Sequence, residues 1–579
     1  MKKIIALLLV LVMAVGLVAC GGGPIGTQKV AGENKYPDAR YDDAVFGSDE
    51  WDGSLPIVTD NQVLTVGMGA NPNTLDYDTN GLTVWLEEQT GFDIQFQLFS
   101  GSGNDYATQV GLMMTGNEPL PDIFIDASGA LVEHGDEGAL QNIAGYLQHQ
   151  AYYTTQVLND YFPDPAERAQ VEKNFVSSLR STVTGAIYEM PHMYGNKNDT
   201  LLAQAVINVN WLEKVGKEMP TTVEELYDVL VAFRDGDPNG NGKSDEMPMF
   251  GRNTEVTQDI VSWVVNAYTL WHPSYKVAVD DNGKVYAPFM TDEYREAMKF
   301  LNKLVDENLL SDMTFTASFN DIAAVLNPAP GEDYTVGITA AMTDSNFHVG
   351  GDSIYDYEPL APLKDATGKG GYAPTWIYKL MKGNVITRDC ENVEAAFRFC
   401  DFLNSHEAFV RGRWGVKGVN WDYCTEEEGK GKGNFGGDAK IKILEPVVMG
   451  LPHNQYWYRQ ATITCEQYWQ VLVDDSDDPW TAEMYEDLGQ QIEYANIAGV
   501  PDNYFQLYDR TEEEQEIFQE YTSELNDLLW SSTAEFATGI RDPYDDGDWE
   551  DYLQEFKKLH VQECWIDIAQ ATVDRQNSK

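Results

Sequence analysis

Apolar positions between residues 58 and 125 switch repeatedly between two periods, and the switching predicts alternating strands and helices. Gln62-Val63-Leu64-Thr65-Val66 reads as a short strand, and Gly69-Ala70-Asn71-Pro72-Asn73 just after it as a loop. From Leu82 to Thr90 the spacing becomes helical, with Leu82, Trp85 and Leu86 on one face and Gly91 placed to end the helix in a left-handed cap. Phe92-Asp93-Ile94-Gln95-Phe96 alternates again as a strand, Tyr106 to Met114 reads as a helix, and Pro121-Asp122-Ile123-Phe124-Ile125 as a further strand. Strands interleaved with helices in this way predict α/β layers with parallel strands. Trp85, Trp211, Trp549 and Trp565 fall on helical spacings and are read as helix-packing residues. No repeat of solenoid period occurs.

Ahead of the first strand, Gly21 to about Leu55 is rich in Gly, Pro, Asp and Tyr with little apolar period, and reads as a linker. It follows Met1-Lys2-Lys3 and an apolar run from Ile4 to Ala19, the layout of a secretory signal and too short for a membrane span. Leu17-Val18-Ala19-Cys20 resembles the bacterial lipobox, which makes Cys20 the expected lipidation site and the three glycines after it a flexible tether. An ordinary secretory signal cut near Ala19 is the competing reading.

The body is large enough for more than one domain, and 43% hydrophobic with 12% aromatic residues argues for a folded chain. Its formal charge of −54 changes the picture of partners. Such a field repels nucleic acid, anionic lipid and polyanionic ligands, and favours divalent cations and neutral ligands. Beyond Cys20 the cysteines are Cys390, Cys400, Cys424, Cys465 and Cys564, an odd set without zinc spacing. Cys390 and Cys400 lie at opposite ends of a predicted helix, roughly 15 Å apart, too far to bridge. Cys424 with Cys465 is the one pairing worth testing.

The strongest local signal is Asp237-Pro238-Asn239-Gly240-Asn241-Gly242-Lys243-Ser244-Asp245-Glu246. Counted from Asp237, the EF-hand positions 1, 3, 5, 7 and 9 fall on Asp237, Asn239, Asn241, the Lys243 main-chain carbonyl and Asp245, with Gly242 in the glycine slot. Position 12, normally a bidentate Glu, is Pro248. Either Glu246 takes that part or the site binds weakly. The expectation is an EF-like calcium loop rather than a sensor hand, against the alternative of a solvated Asn/Gly/Asp turn.

Several further segments, taken in order, resemble family 1 extracellular solute-binding proteins, the receptors of oligosaccharide ABC importers. They are Leu-Thr-Val-Trp-Leu-Glu-Glu-Gln-Thr-Gly-Phe at 82–92, Gly-Leu-Met-Met-Thr-Gly at 111–116, Pro121-Asp122-Ile123, Ala186-Ile187-Tyr188-Glu189-Met190-Pro191, Asn210 to Gly216 and Pro220 to Leu226. The likeness continues through the loop above, Asp281 to Val285, a helix from Asp292 to Leu309, Gly415 to Trp421 and the final helix with Gln570 to Arg575. The resemblance implies a two-lobed, periplasmic-binding-protein-like α/β fold with a hinge and an interlobe cleft. Its expected organisation is a signal peptide at 1–19, lipidated Cys and linker at 20–56, lobe I at 57–203 and 372–435, and lobe II at 204–371 and 436–579. Crossings are expected near Ala203 to Val206, Gly371 to Thr375 and Gly433 to Ala439. In the family, binders of alginate oligosaccharides carry a similar loop ending in an acidic pair, matched here by Asp245-Glu246, around a structural Ca2+. The implied function is capture of an oligosaccharide by a lipid-anchored monomer outside the cytoplasmic membrane and its delivery to an ABC permease.

A sugar cleft needs flat apolar faces and planar polar groups. Trp271, Trp376, Trp421 and Trp457, which stand near Gly, Asn or turn sequences, are the expected stacking residues, with Asp122 and Asn80 expected to meet hydroxyls and Asp126 a similar loop-end candidate. Core packing, or capping for the polar three, is the competing role for each. Catalysis is not expected: Gly-x-Ser-x-Gly, His-Glu-x-x-His and the P-loop pattern are absent, and the eight histidines are scattered. A peptide-binding or sensory lipoprotein of the same fold, or a secreted glycan-active enzyme using paired carboxylates, are the alternatives.

Overall fold

The computed structural model describes residues 32–40, 46–100, 104–116, 118–127, 131–181, 183–194, 205–253, 259–273, 276–280, 282–329, 331–340, 347, 351–365, 367–373, 379–381, 383–434, 437–447, 452–457, 470–473, 483–484, 486–487, 489–491, 493–494 and 511–577. The described residues fall into two compact units. The first draws on Met1–His192, Met381–Asn420 and Gly450–Ile463, the second on Met193–Leu380, Trp421–Met449 and Thr464–Lys579.

The sheet of the first unit runs in the order Val385–Ile386, Ile123–Phe124, Val63–Gly69, Asp93–Phe99. Val63–Gly69 pairs parallel with Asp93–Phe99 from Val63↔Asp93 to Gly69↔Phe99, and parallel with Ile123–Phe124 at Val66↔Ile123. The intervening helix, Gly81–Thr90, starts where Asn80 Oδ1 accepts from the Leu82 amide at 3.1 Å and stops at Gly91, whose φ of 80° lets its N–H return to the Glu87 carbonyl. It buries Leu82, Thr83, Leu86 and Thr90, while Trp85 stays half-buried, stacked on Phe402 at 5.4 Å with the Arg411 guanidinium 4.7 Å from its ring. Gly67 is required by close packing: a Cβ there would stand 2.4 Å from the Phe124 ring. Phe99, Tyr106, Val110, Met114 and Phe124 build the core between this sheet and the helix Asn104–Thr115.

In the second unit the order is Tyr357–Leu360, Ala205–Asn208, Val336–Thr339, Met247–Phe250. Here the parallel expectation is corrected. Only Met247–Phe250 with Val336–Thr339 is parallel; the other two pairings are antiparallel, and in the first unit Val385–Ile386 joins antiparallel as well. The mixed pairing arises because several neighbours in these sheets come from segments far apart in the chain, which a local strand-helix-strand pattern does not register. Trp211, Trp549 and Trp565 are buried in this unit's core, with Phe233, Phe289 and Phe556. The helix Asp292–Asp306 lays Tyr294, Ala297, Met298, Leu301 and Leu304 into the same core.

Candidate functional site

The Asp237 loop is set by the two elements that flank it. The helix Val223–Gly236 begins on Thr222, whose side chain accepts from the Glu225 amide, and ends at Asp237, which takes a left-handed φ of 47°. That turn throws the chain out of the helix and into the loop. Gly240 and Gly242 carry φ of 76° and 73°, and their missing Cβ atoms would face open space, so glycine serves backbone conformation here rather than packing. The chain leaves through the strand Met247–Phe250, which contains the buried Pro248.

Within the loop the oxygen-bearing side chains converge. The Asp237 carboxylate accepts from the Gly242 amide at 3.1 Å, Asn239 Oδ1 from the Asn241 amide at 3.0 Å, and Asn241 Oδ1 from the Lys243 amide at 2.8 Å. The NH2 groups of Asn239 and Asn241 donate to Asp245 at 3.0 and 3.2 Å, which holds the Asp245 carboxyl below its usual range. Asn239 also donates to the Tyr334 carbonyl at 3.2 Å, and Lys214 Nζ to the Pro238 carbonyl at 2.6 Å. These last two anchors lie far off in sequence, and nothing in the loop motif points to them. Glu246 Oε1 is buried without a hydrogen-bond partner among the described residues. Burial first, then the charges of Asp245 and Asp237, push its carboxyl above the usual range.

This donor set fits a hard divalent cation. By residue type it offers three carboxylates and two carboxamides, and the orphaned Glu246 oxygen is the group a cation would satisfy. Among the described residues no three His, Cys, Asp or Glu side chains are grouped closely enough to hold a metal ion, the three carboxylates of this loop included.

The sugar candidates are placed differently. Trp271 is buried in the core of the second unit, its indole N–H donating to Ser262 Oγ at 3.0 Å and its ring edge-on to Tyr294 at 5.8 Å. Trp421 lies in a strand, Trp421–Tyr423, and not in a loop; it is fully buried, because pairing with Ile441–Ile443 carries it inward and out of the glycine-rich turn. Trp457 is fully buried in the first unit, donating to Thr83 Oγ1 at 2.8 Å and edge-on to Phe96 at 5.3 Å. Asn80, besides capping its helix, donates to the Tyr456 carbonyl at 3.1 Å, so Asn80 and Trp457 belong to one buried cluster. Asp122 accepts from the Thr65 amide at 2.7 Å and the Thr65 hydroxyl at 2.6 Å, tying neighbouring strands together. The Asp126 amide donates to Asn384 Oδ1 at 3.2 Å, with φ of 53°. Trp376, Cys20 and Cys465 lie outside the described residues. Among the described residues Cys390, Cys400, Cys424 and Cys564 form no disulfide with one another. No helix among the described residues is long and apolar enough to cross a membrane.

No family model matches the chain. It is homologous to the fructooligosaccharide ABC transporter substrate-binding protein FusA of Streptococcus pneumoniae serotype 4, being 23% identical over 501 residues, 85% of this chain and 86% of that protein. It is also similar to the lipoprotein LipO of Bacillus subtilis, 27% identical over 345 residues, which is 58% of this chain and 63% of LipO. The structure of FusA in complex with kestose superposes with a TM-score of 0.67 at 19% identity, covering 89% of this chain and 100% of that one. FusA has also been solved as an EF-hand mutant with fructo-nystose. The alginate-binding protein AlgQ2, solved without calcium ion, matches with a TM-score of 0.60 at 17% identity over 90% of this chain and 99% of its own. These likenesses show the α/β fold of extracellular solute-binding proteins.

Proposed function

We propose that this protein is the solute-binding component of an ABC importer, which captures an oligosaccharide outside the cell and hands it unaltered to a permease. The observation that carries this reading is the homology to a fructooligosaccharide-binding relative over 85% of the chain, which runs through both units and is not confined to one motif. The two α/β units are read as the two lobes of such a receptor, with ligand held by closure of one on the other. The strongly negative chain favours a neutral sugar. Cys20 carries lipid in this reading and keeps the protein at the outer face of the cytoplasmic membrane; the homologue LipO is itself a lipoprotein. The Asp237 loop holds a structural Ca2+ through Asp237, Asn239, Asn241, the Lys243 carbonyl, Asp245 and Glu246. The relatives solved as an EF-hand mutant and without calcium ion support that assignment.

No catalytic step is assigned: the protein binds and releases. The buried Trp271, Trp421 and Trp457 pack the two units, and Asp122 and Asn80 brace strand and helix in the first. Stacking against the sugar accordingly falls to other aromatics, Trp376 among them.

The test is a thermal-shift panel of glycans and peptides on the mature chain, followed by product analysis. A shift with an oligosaccharide recovered intact is the expected result. A shift with peptides alone, or recovery of a cleaved glycan, overturns the reading.

A further inference from the structure

The stretch ahead of the first strand, which reads as a linker in sequence, is built into the first unit over its described parts, 32–40 and 46–58. Main-chain bonds pin it along its length. The Gly32 amide donates to the Cys390 carbonyl at 2.8 Å, the Gly47 amide to Leu147 at 3.0 Å, the Glu50 amide to His149 at 3.0 Å and the Val58 amide to Thr90 at 3.0 Å, while the Ala151 amide donates to the Gly47 carbonyl at 2.8 Å. Between these points Asn142 Nδ2 donates to the Pro37 and Ala39 carbonyls at 3.1 and 2.8 Å, and the Tyr146 hydroxyl oxygen accepts from the Lys35 amide at 3.0 Å. Backbone groups engaged in this way are fixed to the body, and a chain that has given them up does not swing as a tether.

Side chains add anchors. Phe46, Trp51 and Val58 are buried, and Trp51 stands edge-on to Tyr152 and Tyr153 at 6.2 and 5.7 Å with the Arg398 guanidinium 5.5 Å from its ring. Tyr36 lies edge-on to Tyr146 at 4.9 Å and crosses the helix Ala144–His149 at Gly145, where a Cβ would collide with the Tyr36 side chain. The two described parts are latched to each other as well: Glu50 pairs with the Lys35 ammonium and accepts from the Tyr36 hydroxyl at 2.7 Å.

We propose that residues 32–58 are a fixed strap of the first unit, so that lipid at Cys20 holds the folded body directly at Gly32 and not through a long free arm. This rests on the reading of Cys20 as the lipid anchor. Fully extended, the chain from Cys20 to Gly32 reaches at most about 40 Å, against about 130 Å from Cys20 to Val58. The strap therefore confines the Gly32 edge of the first unit to within about 40 Å of the bilayer.

The experiment turns on the sign of one substitution in the mature chain. Replacing a helical glycine by alanine ordinarily stabilises. With the strap docked, Gly145→Ala drives a methyl group into Tyr36, and the melting temperature should fall by roughly 2–12 °C. In a Tyr36→Gly background the same change should be neutral or raise it. A rise in the wild-type background overturns the strap, as does an equal fall in both backgrounds. The second arm treats membranes carrying the full chain with a broad-specificity protease and sequences the N-termini of the products. No cut within 32–40 or 46–58 is expected in the wild type, and Trp51→Ala should open that stretch. Wild-type cleavage there as fast as in the variant overturns the proposal. Protein found in the medium with no lipid on Cys20 ends the anchor reading and the confinement with it, while the Gly145→Ala pair still decides the strap.

Discussion

Calcium should stabilise this protein through the Asp237 loop, and the size and sign of the effect follow from the loop's own charges. Asp237, Asp245 and Glu246 bring three carboxylates into one short turn, and the Glu246 carboxyl is raised by burial and by its two acidic neighbours. The Lys243 ammonium lies 4.0 Å from Asp245 but is mostly exposed, so it offsets little of this repulsion. A cation bound by the native loop and not by the unfolded chain adds about 2.7 kcal/mol when present at a hundred times its dissociation constant. At about 2–4 °C per kcal/mol for a large domain, that is a rise of roughly 5–10 °C in melting temperature.

The assay is calorimetric unfolding of the mature chain in excess calcium and in a chelator. Asp237→Ala should abolish most of the rise. Glu246→Gln is the sharper variant, since it removes a charge that the metal-free loop disfavours and the cation needs. It should leave the chelated protein as stable as wild type or more so, while shrinking the calcium increment. The pH dependence has a defined sign. A Glu whose folded pKa is raised weakens the metal-free fold as pH rises through the carboxylate range, whereas the cation favours the ionised form, so the calcium increment should be full at neutral pH and fade as pH falls into that range. An identical melting temperature in calcium and in chelator would refute the reasoning, as would a full calcium increment in both variants.

Asp122→Ala should cost about 3 kcal/mol in denaturant unfolding, because it strands the buried Thr65 amide and hydroxyl that the carboxylate now accepts from. Trp457→Phe should cost about 1–3 kcal/mol by removing the indole N–H that reaches Thr83 and leaving a small void, with unfolding again the readout. Asp487 is buried without a partner for Oδ2 among the described residues, and burial first, then Glu483, Glu358 and Glu486, push its carboxyl up to about 8. Its raised pKa means stability is lost as pH climbs from the ordinary carboxylate range toward about 8, so Asp487→Asn should raise the melting temperature at pH 8 and leave it unchanged at pH 4. Cys20→Ala should release the protein from the membrane fraction into the medium, which fractionation of expressing cells would show.

Patterns confined to a few neighbouring residues carried well from sequence to structure. The helix at Gly81–Thr90 stands where Leu82, Trp85 and Leu86 with Gly91 predict it, because a cap and an apolar face are both local. The strands Val63–Gly69 and Asp93–Phe99 likewise overlap the predicted runs, each starting one residue later and continuing three residues further. The loop from Asp237 to Glu246 was legible for the same reason: alternate oxygen donors and glycines within one turn define its shape before any tertiary contact forms. Sheet membership was not legible. Val385–Ile386 joins Ile123–Phe124 across nearly half the length of the chain, and a two-residue strand has no periodicity of its own to announce its partner.

The aromatic candidates show a second limit, and it has a physical cause. A tryptophan beside glycine or asparagine is equally suited to a sugar face and to a core corner, since both bury a flat apolar ring and ask one donor of the indole. Position along the chain does not separate the two; the fate of the indole N–H does. In Trp271 it is held by Ser262 and in Trp457 by Thr83, both hydroxyl-bearing residues of the same unit's interior. A ring fixed in that way is already oriented and already dry, so no face is left for a guest. Glu246 is the reverse case: its sequence context marks it only as the end of an acidic run, and the fold reveals that one of its carboxylate oxygens is buried without a hydrogen-bond partner among the described residues. Binding capacity in this chain is therefore better sought in polar groups whose hydrogen bonds are incomplete than in aromatic residues by type, and Glu246 satisfies that criterion.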